Sequence, residues 1–378
     1  MDDPLPASKS LLPAGFSDLL PPDAQTESTA VEQIMAVFAS HAYARVRPPL
    51  IEFEESLLAG SGETLADQCF RMMDPDSHRM MALRADITPQ IARIATTRLI
   101  NEPRPLRLSY AGQCVRTRST QREHDRQVPQ AGIELIGHDS AAADAEAILV
   151  GVEALSAIGL KNLSLDITLP AIAPTLIEMA VCGPTARLLA RALDRKDAAS
   201  VASLAGKFAP LLTNLLLAAG PADQALAALE AADLPPALRA LATRAGSVIA
   251  LLRASAPALK ITLDPVEFRG FQYHTGLTFT FFAIGHGEEL GRGGRYLCND
   301  AEPATGLTLF ADSVLRAAPK PTPQNILYIP AGAEGAAFRA QQFITLAGLD
   351  REVDPHEEAR RLNATHVLIN GQPIKVKA

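Results

Sequence analysis

Three stretches of the 378-residue chain concentrate side chains able to hold a small polar molecule. The first is Leu83-Arg84-Ala85-Asp86-Ile87-Thr88, in which a carboxylate stands beside a helix start marked by Thr88-Pro89. Such a carboxylate accepts from backbone N–H groups, so Asp86 reads first as an N-cap. The second opens with Val115-Arg116 and closes with Pro129-Gln130-Ala131-Gly132-Ile133-Glu134. If 128–137 is a strand, alternation puts Gln130, Gly132 and Glu134 on one face. A Gln and a Glu amid apolar neighbours either bind something polar or line a solvated sheet face. Arg118, Arg122 and Arg126, between the two ends of this stretch, read as exposed charge unless an anion or a partner lies near. The third holds Arg269-Gly270-Phe271-Gln272-Tyr273-His274-Thr275-Gly276 and, soon after, Gly291-Arg292-Gly293-Gly294-Arg295-Tyr296. Glycines there let a backbone or a ligand approach closely, although each alone could be a bulge or a turn.

Hydrophobic spacing places these stretches on elements. Val31, Ile34, Met35 and Phe38 recur at helical intervals, which predicts a helix from Asp23 to about residue 41. A strand at 50–53, a hairpin over 69–84, a helix from Thr88 to about 99, and two long strands near 104–117 and 128–137 follow. An Ala-rich helix at about 141–158 turns Ile148, Val152 and Leu155 inward, and a strand follows at 163–168. Residues 171–256 are helical in pattern, with breaks at Gly183-Pro184, Gly220-Pro221 and Pro235-Pro236, and read as a helical insertion. Strands resume at 260–263, 272–283, 289–296 and 304–309. The remainder reads strand 326–329, helix 334–346, helix 356–362 and strand 366–369. The expectation is an α+β core over 1–320 and a short C-terminal α/β appendix over 321–378.

Composition excludes several classes. Lys+Arg 35 against Asp+Glu 42 leaves a net charge of −7, which argues against a nucleic-acid protein relying on bulk charge. Among the cations 27 are Arg and 8 are Lys, and nine of the Arg lie between Arg84 and Arg126; base composition would explain the chain-wide bias equally well. Four scattered cysteines form no CxxC pair and suit a reducing cytoplasm, and no metal site is expected. The N-terminus lacks an apolar leader and no run is long enough to span a bilayer, so a cytoplasmic protein without a membrane partner is expected. No P-loop, G-x-G-x-x-G, H-E-x-x-H or G-x-S-x-G pattern occurs.

Taken in order, the three stretches resemble the catalytic core of histidyl-tRNA synthetase, a class II synthetase, over roughly residues 10–320. Arg269 to Phe279 is similar to that family's RGxxYxTGxxF signature, Gly293 to Tyr296 to its GGRY, and Val115-Arg116 with Gln130 to Glu134 to its motif 2. The resemblance implies a mixed, mostly antiparallel sheet flanked by helices. It also implies an amino-acid pocket in which Asp86, Thr88 and Gln130 hold an α-amino group, Glu134 faces an imidazole, Arg116 and Arg269 attend a carboxylate, and Tyr273 and His274 line the wall. A zwitterion needs an acceptor at one end and a cation at the other, which this set supplies.

Departures from the pattern set the function. Ser313 stands where motif 3 carries its ATP-binding Arg, and a hydroxyl does not replace a guanidinium fork on a triphosphate. Arg118 replaces a Glu of motif 2, Gln272 replaces an Asp, and His274 replaces a Tyr. The C-terminal appendix is shorter than an anticodon-binding domain. A synthetase body without ATP and tRNA machinery is similar to the regulatory-subunit family of ATP phosphoribosyltransferase, which acts first in histidine biosynthesis. That likeness implies no catalytic residue and no cofactor in this chain. It implies a short-form catalytic subunit as partner, a homodimer within a hetero-octamer, and histidine as feedback effector. A divergent histidyl-tRNA synthetase and a separate amino-acid-sensing module are the rival expectations; tRNA binding is not expected.

Overall fold

The computed structural model describes residues 11–118, 125–268, 273–299, 301–320 and 324–376. Along the chain, α1 (Asp23–Ser40) and β1 (Ala44–Arg45) precede a small three-stranded sheet of β2 (Ile51–Phe53), β3 (Arg71–Met73) and β4 (Met80–Leu83), with α2 (Glu54–Leu57) after β2. Then come α3 (Thr88–Thr97), the long pair β5 (Leu106–Val115) and β6 (Gln127–Ile136), α4 (Ala141–Ala157) and β7 (Leu163–Thr168). The helical stretch comprises α5 (Ile172–Ala180), α6 (Gly183–Asp194), α7 (Ala198–Leu204), α8 (Ala209–Leu217), the two-residue β8 (Gly220–Pro221), α9 (Ala222–Ala231) and α10 (Pro236–Ser255). Strands β9 (Lys260–Asp264), β10 (His274–Ala283), β11 (Gly291–Cys298) and β12 (Glu302–Phe310) return to the sheet, and α11 (Ala311–Ala317) follows. The Gly183-Pro184 break starts a helix, since proline fits the first turn, where its missing N–H goes unneeded.

The main sheet runs β1-β5-β6-β12-β11-β10-β7-β9-β8 among the described residues. The run β5-β6-β12-β11-β10-β7 is antiparallel throughout; β1 on β5 and β9 on β7 are parallel. One face carries Ala131, Ile133, Leu135, Leu307, Leu309, Phe279 and Phe281 into the large core beneath α1, α4 and the helices of 171–256. The stripe Ala30, Ile34, Met35 and Phe38 seats α1 there, while Val31 is only half-buried. A fully buried side chain of this size contributes about 1.5–3 kcal/mol, so this face carries the stability. The opposite face is different: α3 covers it with Ile87, Ile91, Ala92 and Ala95 at one end, and polar side chains occupy the rest.

The chain forms two compact units, one within residues 1–319 and one within 320–378. The second unit is a sheet in the order β14 (Ile344–Ala347), β13 (Ile326–Ile329), β15 (His366–Ile369), β16 (Gln372–Lys375), with α12 (Ala336–Arg339) and α13 (Pro355–Arg361). Asp354 caps α13 by accepting from the N–H groups of His356 and Glu357, both at 2.9 Å. The helix expected over 334–346 is corrected here. Only one turn, α12, forms, and Ile344 to Ala347 pair in parallel with β13. The stretch Ile344-Thr345-Leu346 is apolar and β-branched enough to add an edge to a sheet, a tertiary gain that outweighs local helix propensity.

Candidate functional site

Register builds the site. Gly112, Gln130 and Phe310 lie side by side on β5, β6 and β12; Tyr110, Gly132, Thr308 and Arg292 form the next row; Leu108, Glu134, Gly306, Gly294 and Thr278 form the third. Directly paired residues project to the same face, so Gln130, Gly132 and Glu134 share one face with Arg292, Gly294 and Tyr296. Glu134 is 1 % exposed. Its carboxylate accepts from the Thr88 hydroxyl at 3.0 Å and from the Tyr296 hydroxyl at 2.9 Å. Reaching Tyr296 requires crossing β12 over Gly306, where an added Cβ would collide with Glu134 Oε2. Gly132 is needed for the same kind of reason: a Cβ would strike the Tyr110 ring. Tyr110 closes the floor, its hydroxyl 2.8 Å from Thr308 Oγ1 and 3.3 Å from Thr88 Oγ1.

The N-cap expected at Asp86 falls instead on Ile87, with no side-chain cap bond; Asp86 accepts from the Thr88 N–H at 2.9 Å, one residue before the cap, and this holds Thr88 at the head of α3 facing Glu134. Gln130 is also 1 % exposed. Its Oε1 accepts from the Ile87 N–H at 3.3 Å and from the Cys114 thiol at 3.2 Å. Both of those groups are donors, which fixes the amide orientation and leaves Nε2 as a buried donor without a hydrogen bond. The Tyr273 ring lies 4.0 Å from the His274 ring and meets Tyr296 edge-on at 6.0 Å, so Tyr273 and His274 stand at the β11 side of the same face. Arg116 follows β5, its N–H donating to the Arg126 carbonyl at 2.7 Å. Arg269 lies outside the described residues, as do Gln272 and Arg122. Arg126 is not bare charge: its guanidinium sits 4.9 Å from the rings of Phe16 and of Phe70. Arg118 is exposed.

Sequence reasoning missed Tyr110, Tyr296, Gly306 and Thr308 as members of this constellation. Only the Gly-Gly-Arg-Tyr run carried a signal. Ser313, in α11, is 8 % exposed and accepts from Arg316 at 3.2 Å, and that arginine also reaches Glu288 at 2.8 Å. No three His, Cys, Asp or Glu side chains converge as a metal site would require among the described residues, and none of the helices there is long and apolar enough to cross a membrane.

Burial dominates the electrostatics. It pushes the Glu134 carboxyl up from 4.5 to about 8, against the lowering effect of the Tyr296, Thr88 and Tyr110 hydroxyls, with the Asp86 charge adding to the rise. The phenols of Tyr110 and Tyr296 are raised well above their ordinary value by the same burial, so both remain donors. Because the folded carboxyl holds its proton more tightly than the unfolded one, the stability it contributes is present below about pH 4.5 and is lost as pH rises through 8. We expect the ligand-free protein to lose on the order of 5 kcal/mol across that window from this group. Glu134→Gln should flatten the corresponding part of a denaturation midpoint-against-pH profile. Parallel profiles for the parent and variant would refute the buried proton.

One further cluster touches the site from behind. Arg295, the neighbour of Tyr296, points to the opposite face and binds Asp144 on α4, with Nη2 2.7 Å and Nε 2.9 Å from Oδ1. Arg244 on α10 takes the other oxygen, its Nε 2.7 Å from Oδ2. Asp144 is fully buried. It ties α10, α4 and β11 together through one carboxylate.

A mixed, mostly antiparallel sheet with a buried carboxylate and the start of α3 on one face places the chain among class II synthetase-like folds. A family model described as Histidyl-tRNA synthetase matches residues 15–314. The chain superposes on a Bacillus halodurans structure described as an ATP phosphoribosyltransferase regulatory subunit/histidyl-tRNA synthetase with a TM-score of 0.79, 24% identity, and coverage of 97% of this chain and 99% of that one. It also superposes on a chain of the ATP phosphoribosyl transferase (HisG:HisZ) complex of Thermotoga maritima with a TM-score of 0.59, 16% identity, and coverage of 75% and 97%. These two likenesses show the fold. In sequence, the chain is 54% identical over 366 residues to the ATP phosphoribosyltransferase regulatory subunit of Paramagnetospirillum magneticum, covering 96% of this chain and 97% of that protein. The chain belongs to the family of ATP phosphoribosyltransferase regulatory subunits.

Proposed function

We propose that this chain associates with the short-form catalytic subunit of ATP phosphoribosyltransferase, is required for its turnover, and transmits feedback inhibition by histidine bound on the Glu134 face. The assembly we envisage is a homodimer of this chain within a hetero-octamer. The observation that carries the reading is Glu134 itself. A fully buried carboxyl, gripped by Thr88 and Tyr296, faces the same side as the orphan donor of Gln130. Such a pair suits a ligand that offers an imidazole N–H at one end and an anion at the other. Family membership and the likeness to a chain of the Thermotoga complex support the choice of partner. Ser313 in place of a phosphate-binding arginine supports a loss of ATP chemistry.

Histidine acts only through a difference in affinity between an active and an inhibited assembly, typically about 1–3 kcal/mol of coupling. The test is the partner's rate of phosphoribosyl transfer with and without this chain, titrated with histidine. We expect a rise in rate on adding the chain and a progressive loss on adding histidine. An unchanged rate in both titrations removes the proposal, as would histidyl-adenylate formation and ATP–pyrophosphate exchange by the purified chain alone.

A further inference from the structure

Two donors on the pocket face make no hydrogen bond: Gln130 Nε2 and Arg292 Nε. Register brings them to one place. Gln130 pairs directly with Phe310 across β6 and β12, and the Arg292 guanidinium lies over the Phe310 ring at 5.2 Å. Arg292 is flanked in register by Thr280 and Thr308, each less than 10 % exposed, and its Nη2 is 3.2 Å from Glu289 Oε2, while Nε is buried. Buried donors are normally satisfied, and a guanidinium beside an amide N–H calls for an oxyanion. Glu134, one row along the sheet, supplies the acceptor end. Arg292 stands two strands and one row from Glu134, about 12 Å of backbone, and its guanidinium leans to the Gln130–Phe310 row, so an amino acid lying over Gly132 would have Glu134 at one end and Arg292 at the other.

We infer that Arg292 recognises the α-carboxylate of the amino acid held at Glu134, a role the resemblance gives to Arg116 and Arg269, with the Gln130 amide as its second donor; the remaining Gln130 group is an N–H donor and does not suit the α-amino group that the resemblance assigns to it. The inference rests on the proposed histidine site and adds to it a specificity-determining cation that the sequence reading did not single out. The Phe310 ring lies beneath the guanidinium, and the half-buried Glu289 pairs with its Nη2.

The experiment is calorimetric titration of the full-length chain with L-histidine, L-histidinamide and histamine, before and after Arg292→Gln and Arg292→Lys. In the parent, L-histidine should bind at least about tenfold more tightly than either analogue lacking the carboxylate. Arg292→Gln should weaken L-histidine about 10–100-fold and leave histamine within about twofold, and Arg292→Lys should recover part of the loss. If Arg292→Gln binds L-histidine as the parent does, Arg292 is not the carboxylate residue, although the site stands. An equal loss for L-histidine and histamine makes Arg292 a scaffold residue and overturns the inference in another way. Binding of none of the three by the parent removes the site itself.

Discussion

Glu134→Gln is expected to leave the assembly with its partner intact while weakening histidine binding about 10–150-fold. The substitution keeps the volume and an oxygen for Thr88 and Tyr296, yet removes the charge that a donor N–H of the ligand would meet. A hydrogen bond to a charged group contributes about 1.5–3 kcal/mol net, which sets that range. The carboxyl is pushed up to about 8, so near neutral pH the empty site holds a proton that a donor ligand must displace. Binding should therefore release a proton from Glu134 as the carboxylate forms, visible as a buffer-dependent enthalpy in calorimetry and absent in the Gln variant. Inhibition of the complex by histidine at the parent's concentrations in Glu134→Gln would disprove the placement of the ligand.

The largest stability effect is expected at Asp144→Ala. The side chain is completely buried and takes both Arg295 and Arg244, so its removal leaves Arg295, only 5 % exposed, with the exposed Asp139 at 3.3 Å as its remaining carboxylate partner. Breaking a buried pair by deleting one partner costs about 3–5 kcal/mol. Arg45→Ala is the control, since its pair with Glu32 is exposed on both sides and such pairs contribute about 0–1 kcal/mol. Urea unfolding should separate the two variants clearly. Because Arg295 adjoins Tyr296 and Arg244 rides on α10, Asp144→Ala should also weaken ligand binding at Glu134. A loss below about 1 kcal/mol in Asp144→Ala would show that the cluster is dispensable.

Much of the core follows from one-dimensional pattern. The α1 stripe, the long strands and the two-residue alternation that aligns Gln130, Gly132 and Glu134 are all local properties of neighbouring residues. Period two and period 3.6 are visible without a partner. The stretch at 334–346 marks the limit: its apolar spacing suits a helix, but parallel pairing with β13 decides the state of Ile344 to Ala347.

The site itself was half legible. The amino-acid sequence alone determined which residue types would face one side of the sheet. Only the tertiary structure decided that Tyr296 reaches Glu134 across 162 positions, that Gly306 clears the way between them, and that Arg292 and Gln130 meet at Phe310. The reason is physical: strand register between segments far apart in the chain sets these meetings, and register is a property of the whole sheet, fixed by which face the core buries.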